Sequence, residues 1–263
     1  MEKVLPLKRF GQNYLRDNNI LEKIVKEIKP GKDDLIIEIG PGTGALTTKL
    51  VESGADIVAI EIDKRVKEEL AEKFPGVTIK NEDFLKTDLK EINSYRNKFL
   101  RIAGNIPYNL TSSIIFKLIE NAEIINDAVL MVQYEVAKRF IAEKGSKDYG
   151  ILSVILKYFS DTTFCFKVSP NVFYPKPKVY SAVIHIFMKK SKNGENIGKT
   201  FIEIVKASFG KRRKILKNSL AESIFADVDF SSSGIDLSLR AEQLDVNEFE
   251  ALARFLLNRH LDE

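Results

Sequence analysis

Leu35-Ile36-Ile37-Glu38-Ile39-Gly40-Pro41-Gly42-Thr43-Gly44 decides the fold. The almost unbroken apolar run Leu35–Ile39 reads as a short strand covered on both faces, the habit of strands in a parallel sheet. The glycines that follow let the backbone approach a bound nucleoside closely. The helix predicted over Gly44–Ser53, closed by Gly54, offers free N–H groups at its start. Outward from this turn, Ile57–Ile62 is a second predicted strand and Lys64–Phe74 a charged amphipathic helix stopped by Pro75-Gly76. Val77–Lys80 and Phe99–Ala103 read as the third and fourth strands, Thr111–Glu120 as a helix and Ala128–Gln133 as the fifth strand. Helices are predicted over Tyr134–Glu143 and Gly150–Phe159. Thr162–Val168 and Ser181–Phe187 suit an antiparallel pair at the sheet edge. Such alternation is the signature of an α/β fold with a parallel sheet. After Lys189-Lys190-Ser191-Lys192-Asn193-Gly194 the pattern turns purely helical. Two domains are therefore expected, an α/β domain over residues 1–190 and a small all-helical domain over 191–263.

The 263 residues are 44% hydrophobic and 30% charged, a composition that excludes collagen-like and disordered chains. No apolar run approaches the ~20 residues of a membrane span, and Met1–Pro6 lack the apolar core of a secretory signal. Cys165 is alone and cannot form an internal disulfide, while His185 and His260 make a poor metal kit. The expectation is a cytoplasmic protein with no metal and no membrane attachment, and a monomer. Charge is unevenly spread. Residues 199–218 hold Lys199, Lys206, Lys211, Arg212, Arg213, Lys214 and Lys217 against Glu203 alone. Residues 219–263 hold three arginines against ten acids. A basic stripe beside an acidic tail suits a surface that meets phosphate on one side; a solvated helix face reads the same way from charge alone.

The chemistry gathers at predicted strand ends. Glu61 follows Gly40 by 21 positions, where a carboxylate accepts hydrogen bonds from ribose hydroxyls. Gly40-x-Gly42-x-x-Ala45 with Glu61 also satisfies the dinucleotide fingerprint, so the turn by itself leaves two cofactors open. Glu38 and Asp83 separate them. An acid at the mouth of the turn is unwelcome beside a pyrophosphate but suits a cationic aminoacyl tail. Asp83, after the third strand in Asn81-Glu82-Asp83-Phe84, is placed to accept an adenine amino group, although alone it reads equally well as a loop cap. Three acids in one crevice suit S-adenosylmethionine, a sulfonium without phosphate.

Ala103-Gly104-Asn105-Ile106-Pro107-Tyr108 closes the fourth strand at the carboxyl edge of the sheet, where α/β proteins place their chemistry. The adenine 6-amino group is a poor nucleophile because its lone pair is delocalised into the ring. Acceptors aimed at its two hydrogens favour pyramidalisation and free that pair. The Asn105 side-chain oxygen and the Ile106 carbonyl are candidates. Pro107 fixes φ and holds the turn, and Tyr108 offers a ring on which a base can stack. Phe173, in the Pro-stiffened loop Asn171-Val172-Phe173-Tyr174-Pro175-Lys176-Pro177-Lys178-Val179, is a candidate for the opposite wall of a pocket for a flipped base. Taken alone, it reads as a loop aromatic capping the core.

These motifs together resemble the KsgA-type ribosomal RNA adenine dimethyltransferases. Lys8-Arg9-Phe10-Gly11-Gln12-Asn13-Tyr14-Leu15 looks like that family's N-terminal cofactor lid, followed in order by the Glu38–Gly44 turn, Glu61, Asp83 and Asn105–Tyr108. The Phe173–Val179 loop, Phe209-Gly210-Lys211-Arg212-Arg213-Lys214 and Arg240-Ala241-Glu242-Gln243-Leu244 complete the series. The resemblance implies a Rossmann-like, S-adenosylmethionine-dependent methyltransferase domain with a helical C-terminal domain. It implies transfer of methyl groups to two adjacent adenines near the 3′ end of small-subunit (16S) rRNA, with a partly assembled 30S subunit as partner. By position, Asn13, Leu15, Gly40, Glu61, Asp83 and Asn105 would line the cofactor site. Asn105, Pro107, Tyr108 and Phe173 would handle the base, and Lys211, Arg212, Arg213 and Lys214 would contact rRNA. Tyr14 and Tyr180 depart from the family, which commonly has Phe and Asp at these places. The alternatives are a large-subunit rRNA adenine methyltransferase of the macrolide-resistance type, a non-catalytic RNA-binding scaffold and an NAD-dependent oxidoreductase. The last lacks a hydride-transfer partner.

Overall fold

A computed structural model describes residues 12–96, 98–190, 195–211 and 213–262. Lys8–Gly11 and Arg212, singled out above, lie outside the described residues. The elements in chain order are β1 (Tyr14–Leu15), α1 (Asn18–Ile28), β2 (Leu35–Ile39), α2 (Ala45–Val51), β3 (Asp56–Ile60), α3 (Lys64–Lys73), β4 (Thr78–Lys80), α4 (Leu89–Arg96), β5 (Leu100–Asn105) and α5 (Thr111–Glu120). There follow β6 (Ile125–Gln133), α6 (Tyr134–Phe140), α7 (Ile151–Phe159), β7 (Ser160–Val168), β8 (Phe173–Tyr174), β9 (Ser181–Met188), α8 (Glu195–Phe209), α9 (Leu216–Ala221) and α10 (Val246–Asp262).

Among the described residues, seven strands form one sheet in the order β4-β3-β2-β5-β6-β9-β7. Every residue of β2 is buried, as the apolar run requires. From β2 the chain winds outward through β3 and β4, then crosses to β5 on the other side, and β2 pairs in parallel with both β3 and β5. This reversal is the topological switch point, and it opens a crevice at the carboxyl ends of β2 and β5. The two late segments expected as an edge pair do lie side by side at the end of the sheet: β9 pairs antiparallel with β6, and β7, beside β9, is the edge strand. The inner strand is the nearly continuous apolar run, β9, buried at seven of its eight positions, while the more polar β7 is buried at two of nine.

Local signals place the helices. Asp17 caps α1 by accepting from the Ile20 N–H at 3.1 Å, and α1 ends at Lys29 in the left-handed region with φ 48°. Asp63 caps α3 by accepting from the Arg65 N–H. α1 buries Leu21, Ile24 and Ile28 in a cluster with Leu15, Ile36, Leu46, Leu50, Ala103, Met131 and Phe173.

Two compact units emerge. The first takes the described residues up to Ala137 together with Asp161–Lys189; the second takes Lys138–Ser160 together with the described residues from Lys190 on. Residues 138–160, expected in the first domain, thus group with the helices. Tyr158 of α7 stacks on Phe201 of α8 at 4.0 Å between ring centroids, and Tyr149 donates its hydroxyl to the Leu244 carbonyl. The apolar face of α7 is spent on helices that begin 36 residues or more after its end, a pairing that local periodicity does not reveal. No helix among the described residues is long and apolar enough to cross a membrane.

Candidate active site

The crevice at the switch point is a cleft of about 780 Å³ that is open to solvent. Gln12, Asn13 and Tyr14 wall it on one side and Ile39, Gly40 and Gly42 at the first turn. Glu61 after β3, Glu82 to Leu85 after β4, and Asn105 to Tyr108 after β5 complete the wall. A smaller recess of about 500 Å³ shares Tyr14, Gly40 and Asn105 with it and adds Leu15, Glu38, Pro41 and Gly104.

Glycine is needed here for space as much as for conformation. Gly42 has φ +54°, and a Cβ on it would stand 2.9 Å from the Tyr14 ring, so any side chain would push away the segment that covers the turn. Gly104 has no such φ, but a Cβ there would meet the Ile39 carbonyl oxygen at 2.7 Å, inside the β2–β5 pairing.

Glu61 is 3% exposed, and its two oxygens accept from backbone amides, among them Gly42 N–H at 3.0 Å and Asp63 N–H at 2.8 Å. Burial pushes its carboxyl above the ordinary value, and the amide hydrogen bonds only partly oppose this. Asp83 accepts from the Leu85 N–H at 2.9 Å and faces the same cleft. Lys117 of α5 holds this loop from behind, donating to the carbonyls of Leu85 at 3.0 Å and Thr87 at 2.7 Å. Glu38 differs from the expectation of an acid at the mouth of the turn. It is 2% exposed in mid-strand, lines the smaller recess and accepts the Thr47 hydroxyl at 2.7 Å. Burial raises its pKa from 4.5 to about 7.

At the end of β5, the Asn105 side-chain amide donates to the Asn13 carbonyl at 2.7 Å. With Nδ2 so engaged, Oδ1 is the end of the amide that remains to accept in the cleft. Pro107 holds φ at −59° and leads into the short 3-10 turn Tyr108–Leu110. The Tyr108 hydroxyl shares a 2.6 Å hydrogen bond with Ser181 of β9, and burial raises its pKa. The ring is therefore pinned at the cleft wall, and the phenol stays neutral.

Of the residues picked from sequence, Asn13, Gly40, Glu61, Asp83, Asn105, Pro107 and Tyr108 share the large cleft. Leu15 lines only the smaller recess. Phe173 lines neither. It pairs with Leu15 across the short β1–β8 ladder and is 5% exposed among the apolar residues around α1. Its neighbour Tyr174 takes the exposed side of that ladder. Lys211 and Lys214, expected to face rRNA, both donate to Glu222, whose pKa falls to about 2 between them. Arg213 is exposed. The sequence reading missed Ser181 and Lys117, which act through residues far away in the chain and carry no motif of their own.

Among the described residues lining the large cleft there is no Lys or Arg, against three carboxylates, Glu61, Glu82 and Asp83. Glu82 reaches Lys80 at 4.0 Å on the rim. A dinucleotide pyrophosphate would meet uncompensated negative charge here. A phosphate-free nucleoside carrying a cation fits, and S-adenosylmethionine is such a molecule.

Comparison with known proteins agrees with this geometry. Residues 7–258 match the family described as ribosomal RNA adenine dimethylase. The chain is 43% identical over 254 residues to the ribosomal RNA small subunit methyltransferase A of Francisella tularensis subsp. novicida, covering 95% of this chain and 97% of that one. It superimposes on a dimethyladenosine transferase from Plasmodium falciparum with a TM-score of 0.79 at 26% identity, covering 93% and 98% of the two chains. The 23S rRNA methyltransferase ErmE gives a TM-score of 0.67 at 25% identity, with 92% and 98% covered. A Rossmann-like core, an acid-lined cleft at its switch point and a match over nearly the whole length lead to one conclusion: this chain belongs to the ribosomal RNA adenine dimethylase family.

Proposed function

We propose that this protein transfers methyl groups from S-adenosylmethionine to the 6-amino groups of two adjacent adenines near the 3′ end of small-subunit rRNA. The product is dimethyladenosine, made during ribosome biogenesis on a partly assembled 30S subunit, by a monomer in the cytoplasm. The observation that carries the reading is the Asn105 amide, anchored through its nitrogen to the Asn13 carbonyl inside a cleft whose described lining holds three acids and no Lys or Arg.

When bound, S-adenosylmethionine supplies an electrophilic methyl group on a sulfonium. The residues of this chain do the rest. Glu61, already held by two backbone amides, has lone pairs left for ribose hydroxyls, and Asp83 accepts from an adenine amino group. The Asn105 oxygen and the Ile106 carbonyl accept from the two hydrogens of the target amine, which concentrates its lone pair on nitrogen. Tyr108, fixed through Ser181, stacks on the target ring. A preorganised acceptor of this kind costs no reorganisation during reaction. The methylated ammonium sheds its proton to water, so no strong base is needed.

Methyl transfer from labelled S-adenosylmethionine to unmethylated 30S and 50S subunits, mapped by reverse-transcription stops, tests this. Label on two neighbouring adenines near the small-subunit 3′ end is the expected result. Label on large-subunit rRNA would instead assign an activity like that of ErmE, a 23S rRNA methyltransferase. Cofactor binding without transfer to either would leave an RNA-binding scaffold.

A further inference from the structure

Residues 162–190 contain five lysines and no acid. They include the loop 174–180, whose residues other than Pro177 are all exposed, among them Tyr174, Lys176, Lys178 and Tyr180. Its two ends are differently anchored. At one end Tyr174, 42% exposed, carries the Arg16 guanidinium 4.1 Å above its ring centroid. At the other, the carbonyl of Tyr180, a residue 48% exposed, accepts from the Tyr134 N–H at 3.0 Å. The Lys167 ammonium lies 4.0 Å from the Tyr180 centroid and 4.4 Å from that of Tyr134. Tyr134 follows directly on β6 and Tyr180 directly precedes β9, so both stand at the sheet edge that carries Asn105. Ser181, the next residue after Tyr180, is the one that pins the Tyr108 hydroxyl.

Exposed rings interleaved with cations are costly to leave in water and are the recurrent surface for single-stranded nucleic acid, where bases stack on the rings and phosphates meet the cations. A flipped adenine in the cleft leaves its neighbours unstacked at the rim. We propose that Tyr134, Lys167 and Tyr180 form a stacking platform that holds the nucleotide flanking the target adenine, its phosphate met by Lys167. Arg16, Tyr174, Lys176 and Lys178 extend the same basic, aromatic strip along the loop. This rests on the reading of the cleft as an RNA adenine site and adds the surface that grips the strand outside it.

The test uses the full chain, unmethylated 30S subunits, and the variants Tyr180→Ala, Tyr180→Phe and Lys167→Gln. Affinity for 30S should fall about tenfold for Tyr180→Ala, in the range that loss of one stacked base produces, and stay at the wild-type level for Tyr180→Phe, which keeps the ring. Lys167→Gln should lower the slope of log affinity against log salt by about one phosphate contact. S-adenosylmethionine affinity should be unchanged in all three. Equal 30S affinity for Tyr180→Ala and wild type overturns the platform, as does a matching loss in Tyr180→Phe or in cofactor affinity, since either marks a packing role. A photoreactive p-benzoylphenylalanine in place of Tyr180 should cross-link to rRNA; cross-linking to a ribosomal protein instead overturns the assignment in favour of a protein partner. Wild-type methyl transfer to the same subunits is scored separately, so failure of the enzymatic reading is not confused with failure of the platform.

Discussion

The two ends of the central strands bury polar side chains in opposite ways. At the amino ends of β5 and β6, the Arg101 guanidinium makes two 2.7 Å hydrogen bonds to Asp127 and a third, also 2.7 Å, to Asp34. It also donates to the Ile28 carbonyl at the end of α1, and His185 shares Asp127 at 2.7 Å. Both carboxylates there have a cation. At the carboxyl ends, Glu38, Glu61 and Asp83 are held by a hydroxyl and by backbone amides, with no Lys or Arg among the described residues lining the cleft. A closed charge network ties elements together, whereas negative charge balanced only by neutral donors is left for a ligand to meet. Burial of ionisable groups therefore does not mark the site; the missing counterion does.

The comparison is most sharply tested at Arg101. Arg101→Met leaves Asp127 and Asp34 without their cation and should cost about 3–5 kcal/mol of stability, read by urea denaturation. Cofactor affinity of the folded protein should not change. A loss below about 1 kcal/mol would mean that the amino-end network is as loosely bound as a surface pair.

Next in size is Asn105→Ala, which removes the contact to the Asn13 carbonyl and one of the two acceptors proposed for the target amine. The barrier to methyl transfer should rise by about 2.7–4 kcal/mol, roughly 10²–10³ in kcat, with a much smaller change in cofactor affinity. Turnover at the wild-type rate would sink the role given to this side chain.

The smallest effect is in pH dependence, where the two ends should act with opposite sign. Glu38 titrates at about 7 in the folded protein against 4.5 unfolded, and Glu61 is shifted the same way. The native state then binds more protons than the unfolded state between those values, so this end loses stability as pH rises from about 4.5 to about 7. The Arg101 and His185 hydrogen bonds hold Asp127 below its ordinary value despite burial, so that end loses stability as pH falls through the carboxylate range. Glu38→Gln keeps an acceptor for Thr47 and should flatten the upper window, with a gain of at most about 3 kcal/mol at pH 8. Melting temperatures across pH 4–8 decide it, and an unchanged profile would show that Glu38 carries no such burden.

Much of the site was legible because its residues stand at fixed offsets from strand ends. Gly40, Glu61, Asp83 and Asn105 each follow or close a predicted strand, and a parallel sheet gathers such positions at one edge whatever the order of its strands. What escaped reading are the partners that hold them. Asn105 and Asn13 are 92 residues apart, Tyr108 and Ser181 are 73, and Lys117 and Thr87 are 30. Phe173, an aromatic in a proline-rich loop, has no local sign of burial; pairing of β8 with β1 buries it. The block Lys211–Lys214 reads as uncompensated because its acid, Glu222, comes after it and folds back onto it.

The class of fold, the crevice chemistry and the family are all written in the amino-acid order, since apolar periodicity, glycine turns and the offsets of acids from strand ends are local properties. Folding in three dimensions settles the rest: that residues 138–160 pack with the helical unit, that Phe173 is buried, and that Lys167 lies against both Tyr134 and Tyr180. Those outcomes depend on which surfaces remain to be buried once the chain has closed on itself, and no window of sequence contains that information.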